Sequence, residues 1–531
     1  MEEPCPRVVF FGPGLNGNLT AECYGNKAAG LSEMAAANIP VPPGFVLPVR
    51  ICEEYYRNGK RLPDDLPELL AQGIAFLEKS TGYVFGGARN PLLVSVRSGA
   101  PVSMPGIMET VLNVGLTPVT VRALLARTGN PRFVYDTYRR FLENFGTSIL
   151  DHPRKMYTQN LQDLMQREGI TDERELDYQN LRSLCQVYEQ VYTSKEYRKC
   201  LTDAKKQLAE SITAVLRSFK GPRASAFFRT GLMGNVSGTA VTVQVMVYGN
   251  MGASSGAGVA FTRNPWTGSH NVLIDFRFGG QGEDVVSGDR AAITQDEMAE
   301  VMPDVYSDII RICRRLEAHF GDMQDIEFTV QEGKLYLLQT RSGKRAPYAA
   351  LQIAVDLCNE GILSQQKALA LLENTDLDAI EIQELSSPQQ PVGQGISASG
   401  GVAYGMVAFT PRRAESDAKS GPVILVRETA SPDDIAGIDV ASGILTARGA
   451  RTSHAAVVAR QLGKVCVVNC TGLVIEAHLH RCTIGGVMVR EGDVISIDGN
   501  TGLVYRGRVN VISRRPVDLI DTVRQWETRA S

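Results

Sequence analysis

The chain has 531 residues, 44% of them hydrophobic and 21% charged, with a formal net charge of −3. That is the balance of an ordinary globular protein, long enough for roughly three to four units of ~150 residues. It carries no basic surplus for nucleic acid, and no apolar run approaches the ~20 residues of a membrane helix. Acidic residues and Pro4 precede the first apolar stretch, so no signal peptide is read there. Ten cysteines without a CxxC spacing point to reduced thiols and a cytoplasmic setting.

Residues 1 to about 110 read as mixed α/β. Tyr24-Gly25-Asn26-Lys27-Ala28-Ala29-Gly30-Leu31 runs into an Ala-rich helical stretch that Pro40, Pro42 and Pro43 stop. Leu92-Leu93-Val94-Ser95-Val96-Arg97-Ser98 is a strand opening into a Gly/Pro loop, which makes Arg97 a phosphate-site candidate; most such arginines are surface ion pairs. Residues 116–220 are helical in pattern. Arg132 to Phe141 sets aromatics at i, i+3 beside two arginines, the pattern of an aromatic core with solvated charge.

Ala240 to Tyr248 is a long apolar strand, 249–258 a glycine- and serine-rich loop, and Val259 to Arg263 the next strand. Strand, glycine loop, strand predicts a flap over nucleotide phosphates, with Gly256 and Gly258 giving close backbone approach; a plain flexible hairpin is the simpler alternative. No G-x-x-x-x-G-K-[ST] loop is present, so this is not a P-loop protein.

Residues 324–341 predict a hairpin turning at Glu332-Gly333. Asp325 and Glu327 share one strand face, as do Gln339 and Arg341. Paired carboxylates suit Mg²⁺ held with substrate phosphates, and an arginine fork suits a phosphate oxygen. The polar, solvent-facing side of a hairpin is the plain alternative. For Asp325 to face Arg341 the loop needs an odd number of residues, for example Glu332-Gly333-Lys334; a two-residue turn would set them on opposite faces.

Residues 343–395 read as a linker with helices at 348–359 and 364–372 and a mobile boundary at Ser386-Ser387-Pro388-Gln389-Gln390-Pro391. A compact β/α unit follows over 396–507, then a short helix-bearing tail over 508–531. Within that unit Gly443 to Thr446 leads into Gly449-Ala450-Arg451-Thr452-Ser453-His454-Ala455-Ala456-Val457-Val458-Ala459-Arg460, a strand, tight turn and helix start. Thr452 or Ser453 can cap the helix, with His454 in its first turn. There the helix dipole disfavours imidazolium and welcomes an anion, so neutral imidazole serves as a nucleophile and a phosphate on it is held. A lone histidine is more often structural. His478, His480 and Cys482 alternate as on one strand face, but no fourth metal ligand is near.

Together these motifs resemble the pyruvate phosphate dikinase family of phosphoenolpyruvate-utilising enzymes. The likeness runs from about Gly25 to Gly507, through Ser95-Val96-Arg97-Ser98, Ser103-Met104-Pro105-Gly106, Leu112-Asn113-Val114-Gly115, Gly258 to Pro265, Gln281-Gly282-Glu283-Asp284-Val285-Val286 and the His454 stretch. The resemblance implies an α/β, α+β multidomain fold: an ATP-grasp nucleotide-binding domain over 1–342 with a helical insertion, then a swivelling β/α phosphohistidine domain over 396–507. It implies that Lys27, Arg97 and Arg341 bind the triphosphate, that Glu283 and Gln339 contact the nucleotide, that Asp325 and Glu327 hold Mg²⁺, and that His454 is phosphorylated. Ala253, Ser254 and Ala257 depart from the family's glycine loop.

Family members continue into a C-terminal barrel that takes pyruvate and phosphoenolpyruvate, which needs at least ~200 residues; 24 follow Gly507 here. The expectation is an ATP-dependent phosphotransferase releasing AMP and pyrophosphate, with phosphate taking the outer phosphoryl group and pyruvate on a separate acceptor-domain protein taking the last one. Another acceptor, such as an alcohol or phenol, and a non-catalytic regulatory subunit are the alternatives. Neither a nucleic acid nor a membrane partner is expected; a homodimer is the assembly considered.

Overall fold

The computed structural model describes residues 5–15, 19–100, 109–170, 172–221, 224, 236–281, 293–385, 390–430, 434–451 and 453–530. The chain forms two compact units, residues 1–254 with 336–340, and residues 255–335 with 341–531. The division therefore falls inside the expected nucleotide-binding region, not after residue 342. Among the described residues no helix is long and apolar enough to cross a membrane.

The first unit is built on an antiparallel sheet of β1 (Val9–Phe11), β2 (Gly44–Leu47), β3 (Val94–Gly99), β4 (Thr110–Val114) and β5 (Ala240–Val245), in the order β1-β2-β5-β3-β4. Helix α1 (Ala21–Ala36) packs on it and breaks at Gly25, where φ is 76°. The insertion is helical as expected. Its central helix α2 (Pro131–Ile149) buries Phe133, Tyr138, Phe141 and Phe145. Its charge is not all solvated: Arg139 is buried too, because Asp136 pairs with it at 2.8 Å and Glu173 at 3.4 Å. Cys5 and Cys23 lie side by side, their Cα atoms 6.4 Å apart; the other eight cysteines are free.

In the second unit β6 (Gly256–Phe261), β7 (Leu273–Phe278), β8 (Ile293–Thr294) and β9 (Gln324–Gln331) form a sheet in the order β8-β7-β6-β9, and β9 turns into β10 (Lys334–Ser342), of which residues 336–340 are counted with the first unit. One face is apolar, since Ile326, Phe328 and Val330 alternate with polar residues along β9. Helix α3 (Pro303–Phe320) covers the sheet. Because β5 and β6 lie in different sheets, the strands expected to form a flap do not pair with each other.

Helices α4 (Pro347–Asn359) and α5 (Gln365–Leu372) confirm the two expected linker helices but form no loose linker. They share an apolar cluster with the final helix: Leu351, Val355, Leu372, Ile520, Val523 and Trp526 are all buried together. Residues 386–389 of the expected mobile boundary lie outside the described residues. Strand β11 (Ile382–Leu385) pairs antiparallel with a strand near the C-terminus, Val511–Arg514.

The β/α unit is a closed barrel of β12 (Gly393–Ser399), β13 (Val402–Ala408), β14 (Val423–Arg427), β15 (Gly443–Thr446), β16 (Val465–Thr471), β17 (Val494–Asp498) and β18 (Leu503–Arg506), ordered β12-β16-β15-β14-β13-β17-β18. Strands β13, β14, β15 and β16 run parallel to one another, so each connection between them crosses over through a helix, while β17 and β12 pair antiparallel on the outer sides of β13 and β16. Alternate residues serve two cores: Ile424, Val426, Leu445 and Val467 in one, Val423, Leu425, Ile444 and Cys466 under the helices in the other. His478 and Cys482 do not share a strand. His478 lies in a 3-10 turn, His480 is left-handed with φ 49°, and its Nδ1 lies 2.7 Å from Glu491 Oε2.

Candidate active site

Three predicted nucleotide residues belong to the first unit. Gly25 lets α1 press against the end of β3: a Cβ at Gly25 would sit 1.9 Å from the Gly99 carbonyl oxygen, and only glycine adopts φ 76° cheaply. Asn26 N–H donates to the Ala100 carbonyl at 3.2 Å. Lys27 thus rides on the first turn of the helix that starts after Gly25, next in sequence to a backbone contact with the end of the Arg97 strand. Arg97 Nη1 reaches the Leu338 carbonyl at 3.5 Å, and Gly30 backs onto the Thr340 carbonyl. Lys27, Arg97 and Gln339 are therefore carried by segments in mutual contact, all three half-buried.

In the second unit Asp325 faces Phe261 and Glu327 faces Val259 across β9 and β6, so both carboxylates stand on one sheet face. Arg341 Nε and Nη2 both lie 2.8 Å from Asp325 Oδ2. The hairpin reaches this pairing by a route other than the expected loop. Its turn has two residues, Glu332 at φ 49° and Gly333 at φ 77°, a type I′ geometry. Strict register from that turn sets Thr340, not Arg341, opposite Asp325. Along β10 Leu335 and Leu337 are buried, Leu338 and Gln339 are both intermediate, and Thr340 is buried again. The Arg341 side chain reaches Asp325 all the same.

The electrostatics are those of a desolvated carboxylate paired with an arginine. Burial raises the Asp325 carboxyl above its ordinary value, against the opposing pull of Arg341. Burial works against the Arg341 charge, yet Asp325 and Glu327 hold its pKa above the ordinary value. A desolvated carboxylate beside a second one has hard oxygens fit for Mg²⁺. A second cluster, His270, Glu317 and Glu360, is paired with an arginine as Asp325 is: fully buried Arg263 bonds both carboxylates at 2.9 and 2.6 Å.

Gly256 and Gly258 take a different role from the expected one. They lie inside β6 and point away from Asp325 and Glu327. Gly258 faces Phe276 on one side and Phe328 on the other, whose rings stack 6.0 Å apart; a Cβ there would sit 2.4 Å from Phe328 Cζ. These glycines make room for aromatic packing. Glu283 lies outside the described residues.

The His454 segment folds as its sequence predicts. Strand β15 ends at Thr446, Gly449 turns with φ 138°, and α6 (His454–Gln461) begins at the histidine. Ser453 is its N-cap and accepts from Ala456 N–H at 3.4 Å. Ala455, Ala456 and Ala459 are buried against Ile444 and Cys466, so small side chains bring the helix close to the barrel. The His454 side chain, like Thr452, lies outside what is described.

Sequence reasoning missed the groups that seat this turn. Asp275 on β7 accepts from Arg451 N–H at 3.1 Å and from its guanidinium at 2.5 Å. Arg460 donates to the Arg451 carbonyl at 2.6 Å; burial lowers the Arg460 pKa, and the charges of Asp325, Arg341 and Asp275 all reach it. The signal for Asp275 was an acid inside the apolar strand Leu273–Phe278.

Comparison with known proteins gives the family of the chain. The family model for the pyruvate phosphate dikinase AMP/ATP-binding domain matches residues 58–306 and 292–360, and that for the mobile domain of PEP-utilising enzymes matches 420–502. Pyruvate, phosphate dikinase 2 of Zea mays is 42% identical over 509 residues, 94% of this chain and 58% of the relative. Pyruvate, phosphate dikinase of Clostridium symbiosum is 41% identical over 495 residues, 91% of this chain and 56% of the relative. The chain thus spans somewhat over half the length of these relatives. With both domain models matched in order, and the nucleotide sheet and histidine-bearing barrel in place, the chain belongs to the pyruvate phosphate dikinase family.

Proposed function

We propose that this chain phosphorylates its own His454 from ATP and hands the phosphoryl group to an acceptor. The observation that supports this most directly is the seating of the His454 turn, through Arg451 and Asp275, on the same sheet that bears Asp325, Glu327 and Arg341. The relatives' name, pyruvate, phosphate dikinase, suggests pyruvate as that acceptor.

In this reading Lys27, Arg97, Gln339 and Arg341 hold the nucleotide, and Asp325 and Glu327 hold Mg²⁺, which supplies charge neutralisation and alignment of phosphate oxygens when bound. A histidine in the first turn of a helix such as α6 stands at the positive end of the helix dipole, which favours neutral, nucleophilic imidazole. A ring nitrogen of His454 attacks the β-phosphorus of ATP. The bond to the α-phosphate oxygen breaks and its electron pair leaves on AMP. Inorganic phosphate then attacks the outer phosphorus, pyrophosphate departs, and a single phosphoryl group stays on the histidine. Arg341 offsets the negative charge that gathers on the transferring group.

The test is incubation of the full chain with β-³²P-ATP, Mg²⁺ and phosphate. Acid-labile, base-stable label is expected on the wild type and absent from His454→Ala, with ATP binding retained by the variant. Label persisting on His454→Ala would remove that residue from the reaction. No label on the wild type would favour a regulatory subunit. AMP–ATP exchange is expected without pyruvate.

A further inference from the structure

The turn that carries His454 is fixed at four points, all on Arg451. Its main-chain N–H and its guanidinium both meet the Asp275 carboxylate, at 3.1 and 2.5 Å. Its Nε donates to the Ser397 carbonyl of β12 at 3.2 Å. Its own carbonyl accepts from Arg460. Two of these bonds stay within the barrel and two leave it for the nucleotide sheet. Asp275 is 2% exposed and Arg451 7%, so this is a desolvated ion pair reinforced by a main-chain bond, not a surface contact.

Its place in the sheet gives the pair a purpose. Val259 faces Asp275 on one side and Glu327 on the other, so Asp275 stands in the same cross-strand row as one of the two proposed metal ligands and on the same face. Side chains two strands apart in such a row are separated by about 10 Å. A carboxylate there, bonded to a residue three positions before the histidine, sets where the helix start lies over the face of Asp325 and Glu327. Pure packing would need no charge at that position: Val259 and Phe261 fill that face of the neighbouring strand with apolar groups.

Resting on the reading that His454 is phosphorylated from ATP, we propose that Asp275 and Arg451 are a positioning pair that docks the histidine turn for that step. The pair parts when the histidine passes its phosphoryl group elsewhere. It touches neither ATP nor the imidazole in this role. It sets the fraction of molecules whose histidine is in reach of the nucleotide.

The experiment measures the rate of β-³²P entry into the full chain at saturating ATP, Mg²⁺ and phosphate, with ATP affinity from calorimetry and folding from a thermal melt. Asp275→Asn and Arg451→Gln are each expected to slow labelling on the order of 30- to 100-fold at unchanged ATP affinity. The double variant is expected to be no slower than the slower single, because each residue acts through the other. Hydrogen exchange at the Arg451 amide should be faster in Asp275→Ala than in the wild type. Wild-type labelling in a folded single variant, or losses that multiply in the double variant, would overturn the pair's role. If substitution at Asp275 prevents folding, the labelling rate of Arg451→Gln decides instead: slowed labelling at unchanged ATP affinity supports the pair, and an unchanged rate overturns it. An unlabelled wild type would overturn the function proposed above and this role with it, a pattern distinct from failure of the pair alone.

Discussion

Asp275 and Glu327 flank Val259 in a single cross-strand row, so a carboxylate that grips the histidine turn and a carboxylate suited to a metal share one face of one sheet. On the proposed reading the same three strands serve both docking and nucleotide chemistry, and local changes there have separable consequences.

Asp325→Asn removes one hard oxygen donor and leaves Arg341 without its anion. The Mg²⁺ concentration for half-maximal His454 labelling should rise on the order of 10- to 100-fold, which a Mg²⁺ titration of the labelling rate measures. An unchanged midpoint would take Asp325 out of the metal set.

Gly25→Ala forces a methyl into the Gly99 carbonyl at a left-handed φ. A cost of about 1–3 kcal/mol is expected, together with weaker ATP binding, because Lys27 is displaced relative to the Arg97 strand. Calorimetry with ATP and a denaturant titration read the two effects separately.

Gly258→Ala separates packing from phosphate contact. The added methyl meets Phe328, so a destabilisation of about 1–3 kcal/mol is expected from overpacking. ATP affinity of the folded variant should hold. A variant of normal stability that fails to bind ATP would restore Gly258 to the nucleotide site.

The helical insertion should have an acid-sensitive anchor. Burial works against the Asp136 charge, but Arg140 and Arg139, with Asn250, hold its carboxyl far below the ordinary range. A depressed carboxylate contributes stability that is present above its unfolded value, near 3.9, and is lost as pH falls through the folded value. Asp136→Asn should cost about 3–5 kcal/mol at neutral pH, and its deficit should shrink as the pH drops below about 3.9. Urea titrations of both proteins at pH 7, 5, 4 and 3 test the sign.

What was legible in the sequence was local. Gly443–Thr446, the turn and the helix start at His454 follow from a short apolar run, a glycine and a Ser cap, and they appear where expected. The strand Val423–Arg427 and the hairpin of Asp325 and Arg341 were equally readable from alternation. What escaped was decided by distant partners. Gly256 and Gly258 looked like a phosphate loop because nothing nearby announces that Phe276 and Phe328 stack across them. The turn at Glu332-Gly333 was expected and is present; the three-residue loop thought necessary for Arg341 to meet Asp325 is not, and the two meet nonetheless. Arg451 was visible inside the motif, and Asp275 lies 176 residues away; no spacing rule joins them.

The pairing of Ile382–Leu385 with Val511–Arg514 has a mechanical meaning. The chain enters and leaves the barrel region through two strands hydrogen-bonded to each other, anchored at one end by helices that share an apolar cluster. A single strand is a leash that lets its load wander in every direction; a two-ply ribbon resists bending in its own plane and yields by twisting. If the histidine travels as the proposed reaction requires, a barrel hung on such a ribbon would turn about an axis and not diffuse freely, and the histidine's effective concentration at each stop would stay high.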